Sequence, residues 1–391
     1  MKIIDKNVFI GGWNVNKLKK DLIPIFGVVI CSIILILISK FIFTSGFLPD
    51  KYNKGVNYYK GVVTSIEHED MHNDEILSEV EIGLQNVLVE VKDGPLEGQE
   101  FNIENPVSRL YNLKVEEGTK VILGISKNGQ QNIATIFSYD RSNMIYLLIS
   151  LFSIIVIIIG GVKGIKSLVS LIFTLVCCVY LMVPLMLRGV EPILAGIIMA
   201  ILSISVTLFL VSGRNKKTLT AILGTVSGVV IAGVIAYIFG NLTNLSGITM
   251  DDAESLMYIA EDTNLKIKGL MFTGILVSSL GAVMDVAMSI SSAIFEINIV
   301  NLDITFKELF KSAMNIGKDI IGTMTNTLIL AFSGGSLGLL VLIYSSNMPY
   351  NKLINLDVLG IEIVQGIAGS IGIDLAVPIT ALIGCYLCKR K

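Results

Sequence analysis

Residues 269–296 read GLMFTGILVSSLGAVMDVAMSISSAIFE. Between its ends the stretch holds one charged residue, Asp285, and it is longer than the roughly 20 residues a helix needs to cross the hydrocarbon core of a bilayer. It is not apolar all round. Gly274, Ser278, Gly281, Asp285, Ser289, Ser292 and Glu296 recur at steps of three and four, which places them on one face of an α-helix. The other faces are mainly Leu, Ile, Val, Met and Phe. Gly274 and Gly281 let a neighbouring helix come close. A carboxylate at that depth is costly unless it is paired, hydrated or protonated, which makes Asp285 a candidate functional group.

Seven more stretches have the same character: 22–43, 144–161, 166–187, 192–212, 218–239, 320–344 and 367–388. The sequence therefore predicts a polytopic α-helical membrane protein with eight transmembrane helices. Charged residues make up 16% of the chain, against about 25% in soluble domains, and mean hydropathy is +0.74, which argues against a soluble enzyme. The stretch at 22–43 is expected to remain as an anchor, because it is long for a signal peptide and no small-x-small cleavage site follows it. Basic residues orient the bundle. Sixteen fall in the tail 1–21, in alternate short loops and at 389–391, namely Lys2, Lys6, Lys17, Lys19, Lys20, Lys163, Lys166, Arg214, Lys216, Lys217, Lys307, Lys311, Lys318, Lys389, Arg390 and Lys391. The opposite short loops have four: Arg188, Lys266, Lys268 and Lys352. Both termini are expected in the cytoplasm of a plasma-membrane protein, with 44–143 outside.

The segment 44–143 changes period. Tyr59–Ile66 and Val80–Val91 alternate apolar and polar residues as half-buried strands do. Asp93-Gly94-Pro95 marks a turn before Glu100–Ile103, and Asn128-Gly129 joins Lys120–Ile125 to Gln131–Phe137 as a hairpin. About five short strands predict a small extracytosolic β-barrel or sandwich between helices 1 and 2. Residues 41–140 hold 16 acidic and 8 basic side chains, so this segment offers nucleic acid no basic stripe. Within it His68, Glu69, Asp70, His72, Asp74 and Glu75 form a cluster that reads either as an exposed metal-binding loop or as a solvated acidic one. The five cysteines lie outside it, so no disulfide framework is implied; Cys385-x-x-Cys388 ends an apolar helix with no His nearby and reads mainly as packing.

Two further spans carry polar groups. The seventh begins Gly317-Lys318-Asp319 and continues Gly322-Thr323-Met324-Thr325-Asn326-Thr327, with Asp319, Thr323 and Asn326 on one face. Ser333-Gly334-Gly335-Ser336 then interrupts it, and broken helices at membrane depth line cavities or binding sites. The eighth has Gly366, Gly369, Gly372, Asp374 and Pro378; the proline deprives the Asp374 carbonyl of its helical donor. In the fifth, Gly224-x-x-x-Gly228 reads as a packing face. A short interfacial helix is expected over Met250–Ala260, with Asp251, Asp252 and Glu254 at its start. An amphipathic helix at the membrane surface is expected over Ile304–Asn315, with Phe306, Leu309, Phe310 and Met314 on one side.

Several stretches carry a family likeness: Gly213-Arg214-Asn215-Lys216-Lys217-Thr218 running into Leu223-Gly224-Thr225, Gly281-Ala282-Val283-Met284-Asp285-Val286-Ala287, and Gly317-Lys318-Asp319-Ile320-Ile321-Gly322-Thr323-Met324-Thr325-Asn326-Thr327-Leu328. Gly94-Pro95-Leu96-Glu97-Gly98 and Tyr139-Asp140-Arg141 add to it. On these the chain resembles the YibE/F-like family of bacterial multi-pass membrane proteins across residues 20–390. The resemblance implies no settled biochemical activity. Members of longer and shorter form imply a partner, either a shorter member or a second copy. An outward-to-inward helix with a central Asp followed by a Gly/Thr-rich helix is also similar in pattern to proton-driven RND and SecD/SecF exporters, an analogy only.

Two functions are in competition. In a permease-like protein, Asp285, Ser289, Ser292, Asp319, Thr323, Asn326 and Asp374 line a path for a small solute or ion. In a membrane scaffold or accessory subunit, the outer β domain docks a partner and the polar face only packs helices. An enzyme is not expected. There is no HExxH, GxSxG or phosphate-binding loop, and the context of Asp285 and Asp374 resembles no protease dyad. No cofactor and no bound metal are expected, and the partner expected in every reading is the lipid bilayer.

Overall fold

The chain ties most of its polar backbone into long helices, as hydrocarbon demands. The structure, a computed structural model, describes residues 9–10, 13–43, 55–128, 131–245, 247 and 253–390. Of the sequence expectations, Lys2, Lys6, residues 44–54, Gly129, Met250, Asp251, Asp252 and Lys391 lie outside the described residues. Two units form: Met1–Leu48 with Val156–Lys391, and Pro49–Ile155.

In the first unit a minimal ladder, β1 (Phe9–Ile10) with β2 (Trp13–Asn14), precedes α1 (Val15–Phe43). The second unit begins with a single antiparallel sheet, β3 (Val56–Asn73), β4 (Glu81–Val91), β5 (Glu100–Val107), β6 (Lys120–Asn128) and β7 (Gln131–Tyr139), in the order β5-β4-β3-β6-β7. It is one curled sheet whose edges β5 and β7 approach each other, a half-barrel and not a sandwich. Long β3 makes the curl: it pairs with β6 over Val56–Val62 and with β4 from Gly61 to Asn73. Register shifts at Val63/Ser65 and Ile66/His68 bend it, as bulges do.

Val63, Val87, Val89, Val91, Ile103, Val115, Val121, Leu123 and Ile125 fill the inside. Two amides are buried with them and replace missing ladder bonds. Gln85 Nε2 donates to Val115 O at 3.0 Å while its Oε1 accepts from the Val115 N–H at 3.0 Å, and Asn105 Nδ2 donates to Leu113 O at 2.8 Å. This side-chain pairing satisfies a loop that has no strand neighbour. At the start of the following helix, the Ser142 hydroxyl and N–H bond Asp140, and together with Lys60 they hold its carboxyl below the usual range.

The helices are α2 (Ser142–Cys177), a π turn at Cys178–Met182, α3 (Val183–Leu187), α4 (Pro192–Ser212), α5 (Lys216–Leu242), α6 (Ala253–Asp262), α7 (Ile267–Val300), α8 (Phe306–Gly335), α9 (Leu337–Ser345), α10 (Tyr350–Leu353) and α11 (Asp357–Lys389). Among the described residues six helical runs are long and apolar enough to cross a membrane, or seven if the bent pair α8–α9 is one span. The predicted eight differ at 144–161 and 166–187, which form one run to Leu187 with a break at Gly161 (φ 54°, ψ −133°). That break is sharp: a Cβ on Gly164 would strike the carbonyl of Val156, eight residues earlier and about 12 Å away along a straight helix. The chain doubles back there.

Around α5, α7 and α11 the helices touch through small residues. A Cβ on Gly228 would lie 2.8 Å from Gly372 O and 2.7 Å from Val283, and one on Gly224 would collide with Thr380. Without a solvent-driven hydrophobic effect between spans, this close approach supplies the packing. Ile304–Asn315 is not a separate surface helix. Thr305 and Glu308 form a capping box and the helix then runs unbroken through Gly317 into the span. One glycine costs about 1 kcal/mol, too little to stop a helix whose Leu309 and Ala313 are fully buried.

Candidate functional site in the broken span

The seventh predicted span breaks where Ser333-Gly334-Gly335-Ser336 was read as an interruption. α8 and α9 meet at an angle of 67° with Ser336 between them. Ser336 N–H still donates to Phe332 O at 3.0 Å and Leu340 N–H to Ser336 O at 3.0 Å, so the bend keeps much of its backbone bonding. A cavity of about 340 Å³ lies against it, lined by Ile329, Phe332, Ser333, Ser336, Leu339 and Leu340 on one side and by Leu359, Glu362, Ile363, Gly366 and Ile367 of α11 on the other. Glu362 is the one ionisable group in that lining.

Further along the same pair of helices, Thr325 Oγ1 donates to Asp374 Oδ1 at 3.0 Å. Gln365 Nε2 reaches Ser278 Oγ of α7 at 3.4 Å. α11 is thus tied by polar side chains to α8 and to α7. Asp374 is half-buried. The sequence drew attention to Thr323 and Asn326, yet both are exposed, and the Thr323 hydroxyl spends itself on Ile320 O at 3.0 Å within its own helix. The sequence does not single out Thr325, Gln365 or Glu362: Thr325 is one of several polar residues in the run 322–327, and Gln365 and Glu362 precede the apolar stretch 367–388.

On α7 the polar face points away from the core. Gly274, Ser278, Gly281, Asp285, Ser289 and Glu296 are exposed in the single chain and Ser292 is half-buried, while Val283, Val286 and Ile290 opposite are buried. A Cβ at Gly274 or Gly281 would meet nothing within 4 Å, so these two glycines pack against no helix among the described residues. Asp319, Thr323 and Asn326 form a second exposed polar face on α8.

The His/carboxylate cluster is divided between a strand and the loop that follows it. His68, Glu69, Asp70 and His72 sit on β3 and alternate across it, and Asp74 turns inward to accept from the Arg109 guanidinium. Among the described residues no group of three His, Cys, Asp or Glu could hold a metal ion. Cys385 is a buried free thiol and Cys388 a half-buried one.

Compared with known families, residues 148–390 match the one described as YibE/F-like protein, over more than half of the chain. The chain belongs to the YibE/F-like family. No curated protein and no solved structure matches it. The YibE/F-like match starts inside α2, so it takes in the polar face of α7, the broken span and the Thr325–Asp374 pair. α1, the sheet and the resembling stretches Gly94–Gly98 and Tyr139–Arg141 precede it.

Proposed function

We propose that this YibE/F-like protein is a membrane transport protein and not an enzyme, and that its solute site is the cavity at the α8–α9 break. The broken span with its own cavity carries the reading: irregular backbone at membrane depth is tolerated where it lines a cavity, and such half-helices form binding sites in transporters. With Glu362 as its single charge, the cavity suits a cation or an amine better than an anion. Thr325–Asp374 lies further along the route, and Asp285, Asp319 and Asn326 stand on the exposed polar faces of α7 and α8. Because the polar faces of α7 and α8 are uncovered in the single chain, a second copy or a shorter family member would close the route against lipid. The lipid bilayer is that of the plasma membrane, both termini are cytoplasmic and 44–143 is outside, a topology the sixteen-to-four distribution of basic residues supports.

A thermal-shift screen of the purified protein against alkali and divalent cations, primary and quaternary amines and organic anions tests this. A ligand at 100 times its Kd stabilises by roughly 2.7 kcal/mol. The expected result is an amine or cation that shifts the wild type, shifts Glu362→Gln little, and shifts Thr325→Val less than wild type. Stabilisation by anions alone, or a cation effect equal in all three proteins, overturns the site.

A further inference from the structure

The sheet carries an apolar cap that transport does not use. Two loops meet there, residues 74–80 between β3 and β4 and residues 108–112 after β5. Both lie at the end of the β3–β4–β5 ladder opposite Lys60, whose ammonium donates to Ser142 Oγ at 3.1 Å where α2 begins.

The loops are clasped at two points. Arg109 donates to Asp74, whose side chain is fully buried, and Asn112 Nδ2 donates to Glu81 O at 2.7 Å. Asp74 also accepts from the Ile76 N–H at 2.7 Å and the Leu77 N–H at 2.9 Å, which fixes the turn that turns those two side chains outward. The outcome is a built surface with Ile76 73%, Leu77 54%, Leu110 82% and Tyr111 69% exposed. On helices facing lipid such exposure is ordinary, but on a β unit in water four large apolar side chains in one place mark a contact surface.

Charge selects the occupant. Asp70, Glu75 and Glu79 are exposed around the cap, beside Glu81, which is paired with Lys114. The bases near it are engaged: Arg109 with Asp74, and Lys114 with Glu81 and, at 3.7 Å, with Glu69. A second copy docked cap to cap would set these carboxylates against each other, and an anionic lipid surface would be repelled.

We infer that the cap docks another protein, one whose contact surface is apolar at its centre and rich in lysine or arginine at its edge. The inference does not rest on the transport reading, since it uses no residue of the helical unit.

The test uses the full chain in nanodiscs of zwitterionic lipid and two labelled synthetic helical peptides. The peptides share one leucine face and carry either lysine or glutamate elsewhere, and anisotropy on empty nanodiscs is subtracted. The lysine peptide is expected to bind at least about tenfold tighter than the glutamate peptide. Leu110→Ser with Tyr111→Ser is expected to remove that binding, and Glu75→Gln with Glu79→Gln to reduce the preference while leaving the apolar contact. Ile76→Ser, on the other loop, repeats the first test should the double serine variant fold poorly. Equal binding of the two peptides, binding by neither, or lysine-peptide binding that survives Leu110→Ser, Tyr111→Ser and Ile76→Ser alike overturns the inference.

Discussion

Asp74 shows how a residue's neighbours in space reverse its reading in the chain. In sequence it sits with His72 and Glu75 and looks like one ligand among several. In the fold its partner is Arg109, 35 residues on, and the carboxyl is held down to about 2 from an ordinary 3.8, first by the Arg109 hydrogen bond and then by the Leu77 N–H. A carboxyl depressed in the folded state contributes stability that is complete above its unfolded value and is lost as pH falls through the folded one. The clasp should therefore hold at neutral pH and open between pH 3.8 and about 2. Hydrogen-exchange protection of the Ile76 and Leu77 amides, corrected for intrinsic rate, should fall across that interval. Asp74→Asn should show the loss already at neutral pH; equal protection in wild type and Asp74→Asn would mean that the clasp does not organise the cap. Thr325 and Asp374 pose the same difficulty, 49 residues apart. Their types flagged both helices as polar, but nothing local says which of the three hydroxyls in the run, Thr323, Thr325 or Thr327, meets the carboxylate.

At the scale of elements, the period of the sequence exposes most of what formed. Alternation marks β4 and the first part of β3, the Asn128-Gly129 turn marks β6 and β7, the apolar runs mark α4, α5, α7 and α11, and the Ser-Gly-Gly-Ser run marks the α8–α9 bend. Three things stay hidden. β3 continues to Asn73 through residues too polar to read as strand, because β4 supplies its ladder partners there. α8 absorbs the amphipathic stretch because its buried face runs on through Gly317, against which Val377 and Ile290 pack. And the glycine faces of α5 and α7 look alike in sequence, but among the described residues only that of α5 meets another helix. This difference is measurable. Gly228→Val must push into the Gly372 backbone, and overpacking of that kind costs roughly 1–3 kcal/mol. Its thermal midpoint in detergent should drop clearly, while Gly274→Ala, which meets nothing within 4 Å and replaces a glycine inside a helix, should hold the monomer's midpoint or raise it slightly. If Gly274→Ala fell as far as Gly228→Val, the polar face of α7 would be packed in the detergent-solubilised protein, and a partner helix would have to be present there.

For the whole molecule the question is how many times the chain crosses. The run Ser142–Leu187 has 46 residues, about 69 Å if it were one straight helix, more than twice the roughly 30 Å hydrocarbon core. A single crossing would leave apolar turns in water on one or both sides. Gly161 offers a second arrangement: with its backbone at φ 54° and Gly164 against Val156, the run turns sharply at residues 161–164, with Lys163 and Lys166 at the joint, and divides into arms of 19 and 26 residues on either side of Gly161. Two arms put Asp140 and Arg188 on the same side of the membrane and Lys163 on the other; one arm puts Asp140 and Arg188 on opposite sides. Single cysteines at 140, 163 and 188, in a chain whose native cysteines are replaced by alanine, separate these by labelling with a membrane-impermeant maleimide on intact cells. Labelling at 140 and 188 with protection at 163 is the expected pattern. Labelling at 140 alone would make the run one long tilted span, invert every later helix relative to the sheet, and set the basic loops 214–217 and 307–318 on the same side as the acidic sheet, against the orientation that the basic residues favour.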